Sequence, residues 1–147
     1  MNIYIIAVGN LKEPYLKEAQ KEYSKRLSRF CDLDITEVGE DISISKEADN
    51  IKRVLPKNSY IIALAIEGKK YSSIGFSDHI QKLMVDGKSS IAFIIGGSDG
   101  LDGSILSEAD SLFSMSDLTF PHQLARIILL EQVYRAFKIM GGETYHK

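Results

Sequence analysis

The sequence of 147 residues has little of several features on which other protein classes depend. Its single cysteine, Cys31, cannot form a disulfide within the chain, so a reducing, cytoplasmic environment is the natural expectation. Its three histidines, His79, His122 and His146, lack the spacing of metal ligands, and we expect no metal. No apolar run approaches the roughly eighteen residues of a membrane-spanning helix, and the first residues carry no basic leader. These absences exclude disulfide scaffolds and membrane proteins and leave one globular domain over residues 1–147.

Net charge is also low, at −2, which argues against indiscriminate nucleic-acid binding because such binding depends on neutralising phosphates. Cations nevertheless cluster in one early segment. Its members are Lys17, Lys21, Lys25, Arg26 and Arg29. This spacing is typical of a solvated helix face held by Glu13–Lys17 and Glu22–Arg26 ion pairs. The uneven placement of charge leaves a local basic patch as the other interpretation of this stripe.

Segments with strand and helix patterns alternate along the whole chain. Strands are predicted over residues 3–8, 33–38, 60–66, 91–95 and 112–115, and helices over residues 13–29, 45–55, 73–84, 104–109 and 122–140. Alternation of this kind predicts an α/β fold with a mainly parallel sheet and helices on both faces. Three strands are apolar throughout and therefore buried on both sides, whereas the polar residues within 33–38 favour an edge strand.

Three loops follow predicted parallel strands, after Ile66, Ile95 and Met115. Ligands of such sheets bind outside the carboxyl ends of the strands, so these loops form one pocket if their strands are neighbours. The loop 96–100, Gly-Gly-Ser-Asp-Gly, lets the backbone approach a ligand closely because no Cβ intervenes. The loop 116–121 offers main-chain donors and acceptors to a flat heterocycle.

The glycine loop alone also allows a competing interpretation. Asp117 lies twenty residues after Gly97, which weakly matches the fingerprint of a nucleotide-dependent oxidoreductase. That fingerprint, however, belongs on the first strand of the sheet and has a different glycine spacing. The oxidoreductase alternative predicts binding of a nicotinamide cofactor and leaves the last residues of the chain without a role.

The final predicted helix carries two apolar stripes. One comprises Ile127, Leu130, Tyr134 and Phe137, and the other comprises Leu129, Val133, Ala136 and Met140. One stripe can pack on the sheet, and the other needs a second helix or a second subunit. A homodimer is the simplest closed assembly that would cover it.

The sequence ends on Tyr145-His146-Lys147. Chain ends fray unless they dock on the domain, so this polar segment is expected to be used. Histidine is the side chain best suited to proton transfer near neutral pH. Arg135, in the last turns of the helix, fits either a functional role or a favourable interaction with the helix dipole.

Taken together, these segments resemble one family. They are Ile5–Lys12, Tyr23 with Lys25-Arg26, Leu64-x-Ile66-x-Gly68-Lys69, Ile94-Ile95-Gly96-Gly97-x-x-Gly100, Ser116-x-Leu118-Thr119-x-Pro121-His122, Leu124, Arg126, Glu131-Gln132-x-Tyr134-Arg135-Ala136 and Tyr145-His146-Lys147. Their order and number over essentially the whole chain are similar to those of the RlmH family. The chain departs from that pattern at Ser98-Asp99, where Pro-Glu is frequent, and at Thr144, where Pro is common.

The resemblance implies a SPOUT-type α/β fold with a C-terminal trefoil knot, and a homodimer. It implies an S-adenosylmethionine-dependent methyltransferase that acts on N3 of a pseudouridine in 23S rRNA of the assembled ribosome. The residues implied in binding the methyl donor are Leu64, Gly97, Ser116, Asp117, Leu118, Thr119, Phe120 and Pro121. Arg135, Tyr145 and His146 are implied to face the target nucleotide, with His146 accepting or relaying its proton. A non-enzymatic ribosome-binding module, which predicts RNA contact without a small-molecule pocket, stays open as an alternative.

Overall fold

The computed structural model describes residues 1–147 as five strands that alternate with five helices. The elements are β1 (Asn2–Val8), α1 (Pro14–Leu27), β2 (Asp32–Val38), α2 (Ile44–Val54), β3 (Tyr60–Lys69), α3 (Ser73–Val85), β4 (Ser90–Ile95), α4 (Gly103–Glu108), β5 (Ser111–Phe113) and α5 (His122–Met140). Every predicted element is present, most of them within two residues of the expected bounds.

The five strands form one sheet in the order β2-β1-β4-β3-β5, and every neighbouring pair is parallel. The parallel α/β prediction is therefore confirmed, and so is the placement of β2 at an edge. Strands β4, β3 and β5 lie side by side, which brings the three loops after them to one edge of the sheet. The trefoil knot concerns the threading of the chain rather than strand order, and it stays a prediction.

Helices cover both faces of the sheet, as predicted. Side chains of β1 alternate between two cores: Ile3 and Ile5 join one cluster, whereas Ile6 and Val8 join the other. The larger cluster contains buried residues of α1, α3 and α5, and the smaller contains those of α2 and α4. This alternation follows from the two-residue period of a strand that is buried on both sides.

The predicted end of β3 at Ile66 is wrong, because the strand continues to Lys69 through an irregularity. Leu64 and Lys69 both pair with Phe113, so residues 65–68 bulge out of the ladder. A Cβ at Gly68 would lie 2.6 Å from the backbone nitrogen of Phe113, so glycine is required for this approach. The predicted β5, over 112–115, is also displaced, because the strand ends at Phe113 and the next residues enter a loop.

Both apolar stripes of α5 are covered within the chain. Helix α5 packs between α1 and α3, and Leu129, Leu130 and Val133 are almost fully buried. The second stripe is therefore covered by another helix of the same chain, which was one of the two expected possibilities. It supplies no argument for a second subunit. The exposed side of α5 instead carries Leu124, at 39% exposure.

Candidate active site

A cavity of about 490 Å³ opens at the carboxyl edge of the sheet. The bulge of β3 and the loops that follow β4 and β5 line it, in agreement with the adjacency of these strands in the sheet. Its volume lies within the range of about 300–1,000 Å³ that is usual for small-molecule and cofactor sites. Apolar side chains, among them Leu64, Leu101, Leu106 and Phe120, form much of its wall.

One wall of the cavity is the glycine loop after β4. The amide of Gly100 donates to the carbonyl oxygen of Gly97 at 3.1 Å, which closes a tight turn. A Cβ at Gly96 would lie 2.7 Å from the carbonyl carbon and oxygen of Gly100. Since that contact is with backbone, the turn cannot accommodate a side chain at Gly96 without moving. The loop therefore presents bare backbone to the cavity, and Gly97 lines it as expected.

The loop after β5 forms the opposite wall. Ser116, Leu118, Thr119 and Phe120 line the cavity, and the backbone amide of Leu118 donates to the Ser116 hydroxyl at 3.0 Å. Leu118 is 73% exposed, so its apolar side chain stands free at the rim.

Two predicted donor-binding residues do not line the cavity. The carboxylate of Asp117 forms an ion pair with Lys70 on the surface. Pro121 caps the start of α5, where its fixed φ of −54° suits the entry into the helix. Their contribution to this site is therefore to shape the loop that carries their neighbours.

His122, the first residue of α5, lines the cavity and was missed as a site residue. Its Nε2 atom is buried without a hydrogen-bond partner and lies 3.6 Å from Oε1 of Glu40. Glu40 does not line the cavity, so this nitrogen is directed at the carboxylate rather than at the cavity. The signal that could have identified His122 is its position, because it begins the helix that directly follows a loop at the carboxyl edge of the sheet.

Arg126 anchors the start of α5 to three other elements. Its side chain is 1% exposed, and it donates to Oε2 of Glu37 at 2.7 Å and to the Gly9 carbonyl at 3.0 Å. It also donates to Oε1 of Gln20 at 3.2 Å. These bonds hold the first turns of α5, and with them the end of the 116–121 loop, against β1, β2 and α1.

The three predicted nucleotide-facing residues form one network at the other end of α5. Arg135 donates to Oε1 of Glu131 at 2.7 Å, and the hydroxyl of Tyr145 donates to the same oxygen at 3.2 Å. The Arg135 guanidinium lies 4.7 Å from the centre of the Tyr145 ring. Burial raises the pKa of Tyr145, and the Glu131 carboxylate adds to this shift, so the hydroxyl keeps its proton. The segment 143–147, called the tail here, is thus docked on α5.

His146 completes this network and has a defined tautomer. Its Nδ1 atom lies 3.1 Å from NH1 of Arg135. Because a guanidinium can only donate hydrogen bonds, Nδ1 is the acceptor in this contact. The ring proton of neutral His146 therefore resides on Nε2, which makes the outward nitrogen a donor.

The cavity and the tail network lie far apart within one chain. His122 lines the cavity, whereas Arg135 lies thirteen positions further along the same helix. At 1.5 Å per residue this separation is about 20 Å. The cavity is at the carboxyl edge of the sheet, and the tail docks toward the amino edge.

The geometry does not support the oxidoreductase alternative. The glycine loop follows β4, an interior strand, rather than β1, and Asp117 pairs with Lys70 outside the cavity. No group of three or more His, Cys, Asp and Glu side chains is placed to hold a metal ion. None of the helices has the length and apolar character needed to cross a membrane.

Comparison with known proteins agrees with the resemblance. Residues 1–146 match the family model described as "Predicted SPOUT methyltransferase". Two relatives, from Ruminiclostridium cellulolyticum and Clostridium kluyveri, are 48% and 51% identical over the full length of both chains, and each is named "Ribosomal RNA large subunit methyltransferase H". A solved structure of a "Probable Methyltransferase from Bordetella pertussis Tohama I" aligns with a TM-score of 0.62 at 9% identity, covering 92% of this chain and 93% of that one. The chain therefore belongs to the SPOUT methyltransferases, in the family of ribosomal RNA large subunit methyltransferase H.

Proposed function

We propose that this protein transfers the methyl group of S-adenosylmethionine to N3 of a pseudouridine in 23S rRNA of the assembled ribosome. The observation that carries the proposal is full-length identity of about half to relatives named for methylation of large-subunit rRNA. A cavity of cofactor size at the carboxyl edge of the sheet supports it. A substrate in the ribosome also supports a cytoplasmic location.

The cavity fits the methyl donor in shape and chemistry. The bare backbone around Gly97 allows close approach, and the apolar side chains of Leu64, Leu118 and Phe120 suit the faces of a heterocycle. When bound, S-adenosylmethionine would supply a methyl group, carried on a positively charged sulfur, for transfer to a ring nitrogen. The protein's own contribution is to hold that methyl group in line with its target and to exclude water.

The tail network would act on the target base. In our proposal, the Nε2–H group of His146 and the guanidinium of Arg135 donate to base oxygens on which negative charge develops as N3 loses its proton to water. Donors fixed in advance toward a developing charge are an effective form of catalysis. While Nδ1 accepts from Arg135, His146 stabilises this charge as a hydrogen-bond donor. To accept or relay the proton itself, Nδ1 of His146 would first have to separate from Arg135. Tyr145, held by Glu131, would orient the base.

The separation of cavity and tail supports a homodimer with composite sites. Reacting atoms must approach within about 3–3.5 Å, whereas the two halves of the machinery are about 20 Å apart within one chain. A second copy whose α5 lies alongside in the opposite direction would bring its tail to this cavity. Exposed apolar side chains near the start of α5, Leu118 and Leu124, fit such a contact.

Nucleoside mass spectrometry tests the proposed function directly. The protein and S-adenosylmethionine are incubated with ribosomes from a strain that lacks the enzyme, and the digested 23S rRNA is analysed. We expect N3-methylpseudouridine to appear only when protein and donor are both present. A non-enzymatic ribosome-binding module would bind the ribosomes and leave no methylated nucleoside, and that result would refute the proposal.

A further inference from the structure

A ridge of aromatic and basic side chains joins the last two turns of α1 to the tail. It is held from beneath by Tyr134 of α5, a core residue only 8% exposed, whose ring lies 6.4 Å from that of Tyr23, 6.0 Å from that of Phe30 and 5.0 Å from that of Tyr145. These contacts make one continuous surface out of α1, α5 and the tail. We call it the α1–tail ridge.

Cations lie over the aromatic rings of this ridge. Arg26 is 5.3 Å from the centre of the Tyr23 ring, and Arg29 is 5.2 Å from that of Phe30. Lys138 is 5.7 Å from the centre of the Tyr134 ring. An aromatic ring restrains the guanidinium or ammonium group above it while leaving N–H donors available to a further partner.

The ridge carries a local excess of positive charge on a chain whose net charge is −2. Arg26, Arg135 and Lys138 are each paired with a carboxylate. Lys25 and Arg29, by contrast, are exposed and form no ion pair with any carboxylate of the chain. Lys25 and Arg29 are therefore the two unpaired cations of the segment whose Tyr23 and Phe30 rings pack against Tyr134, the residue that also contacts Tyr145.

We infer that the α1–tail ridge is the surface on which the substrate RNA docks, with Lys25 and Arg29 binding phosphates next to the target nucleotide. This inference rests on the proposed function and adds the docking surface to it. Phosphate contacts position a nucleic acid, and RNA loops are further recognised by stacking on aromatic rings and guanidinium planes. The exposed cations offer the first kind of contact, and the partly buried rings of Tyr23, Phe30 and Tyr145 offer the second.

The inference narrows the basic patch expected from the sequence. Of the two ion pairs predicted to neutralise it, Glu22–Arg26 is formed at 2.7 Å, whereas Glu13–Lys17 is not formed, and Lys21 instead pairs with Glu18. Lys17 lies two helical turns before Lys25, toward the carboxyl edge and away from the tail. The docking surface is therefore the end of α1 rather than the whole stripe.

A double charge reversal on the ridge, K25E/R29E, tests the inference. The chain offers a matched control in K46E/R53E on α2, which also reverses one exposed lysine and one exposed arginine but on the opposite face of the sheet. Both variants are assayed for methyl transfer to ribosomes at several salt concentrations. Donor affinity is measured by calorimetry and folding by thermal unfolding.

We expect K25E/R29E to lower kcat/KM for ribosomes about tenfold or more at low salt, with unchanged donor affinity and melting temperature. The slope of log(kcat/KM) against log[salt] should become shallower by about 1.4–1.8, because two phosphate contacts are lost. K46E/R53E should behave as the wild type. Equal activity of the two variants would overturn the inference. So would a lower kcat/KM of K25E/R29E with an unchanged salt slope, which is the result expected if this surface docks on a ribosomal protein through apolar contacts. Absence of methylation by the wild type would instead refute the proposed function.

Discussion

The regions at the two ends of α5 are formed by different kinds of chemical groups. Beside the start of α5, the cavity is formed by glycine backbone, apolar side chains and the 116–121 loop. The buried side chain of Arg126 fixes the first turns of the helix. At its end, the tail network consists of charged and polar side chains, Glu131, Arg135, Tyr145 and His146, that bond to one another at the surface.

The difference matches the two tasks of the proposed reaction. A donor that is bound through its shape needs a rigid concave wall, which backbone and packed apolar groups provide. A base that must lose a proton needs fixed dipoles aimed at a developing charge. Changes at the cavity should therefore alter donor affinity, and changes at the tail should alter turnover, so each region can be disturbed without the other.

The largest effect on turnover is expected from the tail. His146→Ala removes the Nε2–H donor and should lower kcat about 100- to 1,000-fold, the range found when one donor to a developing charge is lost. Donor affinity, measured by calorimetry, should not change. His146→Gln is the control that keeps an N–H donor, and it should retain more activity than alanine. A weakened donor affinity in His146→Ala would place this residue in the cavity instead and break the distinction.

At the cavity, the decisive change is Gly96→Ala. The added methyl would meet the Gly100 backbone at 2.7 Å, and relieving such overpacking typically costs about 1–3 kcal/mol. We expect donor affinity to fall roughly 10- to 100-fold, since the turn is part of the binding wall. Gly103→Ala is the matched control, because a Cβ there meets nothing within 4 Å. Similar donor affinities for both variants would contradict the assignment of the glycine loop to the donor site.

Two arginines allow the stability provided by a buried ion pair near the cavity to be compared with that provided by an ion pair at the surface. Arg126–Glu37 and Arg26–Glu22 have the same N–O distance of 2.7 Å, but the Arg126 side chain is 1% exposed and that of Arg26 is 39% exposed. Arg126→Met leaves the Gly9 carbonyl without its partner and should lower the free energy of unfolding by about 2–3 kcal/mol. Arg26→Met should have little effect on stability. Denaturant unfolding of both variants measures the difference, and equal losses would show that Arg126 is no anchor.

The type and bounds of most elements followed closely from the sequence, as did the edge position of β2, whereas the order of the other strands was not predicted. Continuous apolar runs marked β1 and β4 as interior strands. The predicted start of α3 at residue 73 is confirmed, with Ser72 as its cap, accepting from the amide of Gly75 at 2.9 Å. Local signals suffice where a residue's own neighbours decide its conformation. One local choice was misplaced: Ser43 caps α2, whereas Ser45 was expected at its start.

Features that depend on remote partners were not predicted. The bulge of β3 exists because Leu64 and Lys69 pair with Phe113, which is more than forty positions away in the sequence. The buried Arg126 gave no sequence signal of its partners on β1, β2 and α1, since helical periodicity alone would place an arginine at the surface. The site residues themselves were named through the resemblance to a known family, and the structure added that they form two groups.

The smallest effect concerns Cys31, which lies away from both regions. It is 9% exposed, its thiol faces the Leu27 carbonyl, and burial raises the pKa of this thiol to about 11. The thiolate is the reactive form, so alkylation at pH 8 should be slow in the folded protein and fast in denaturant. Methyl transfer should be unchanged by Cys31→Ser in properly folded protein. Rapid alkylation of the native thiol would show that this part of the core is open.

A mixed dimer tests the central claim that cavity and tail act together across two subunits. Differently tagged Gly96→Ala and His146→Ala chains are coexpressed, and the heterodimer is isolated by both tags. Methyl transfer to ribosomes is measured at a donor concentration near the dissociation constant of the wild type, at which the Gly96→Ala cavity is largely empty. A composite site pairs the intact cavity of one chain with the intact tail of the other, so about half of the wild-type activity should return although each homodimer is impaired. A heterodimer no more active than the mean of the two homodimers would contradict the account, because each chain would then have to use its own cavity and its own tail.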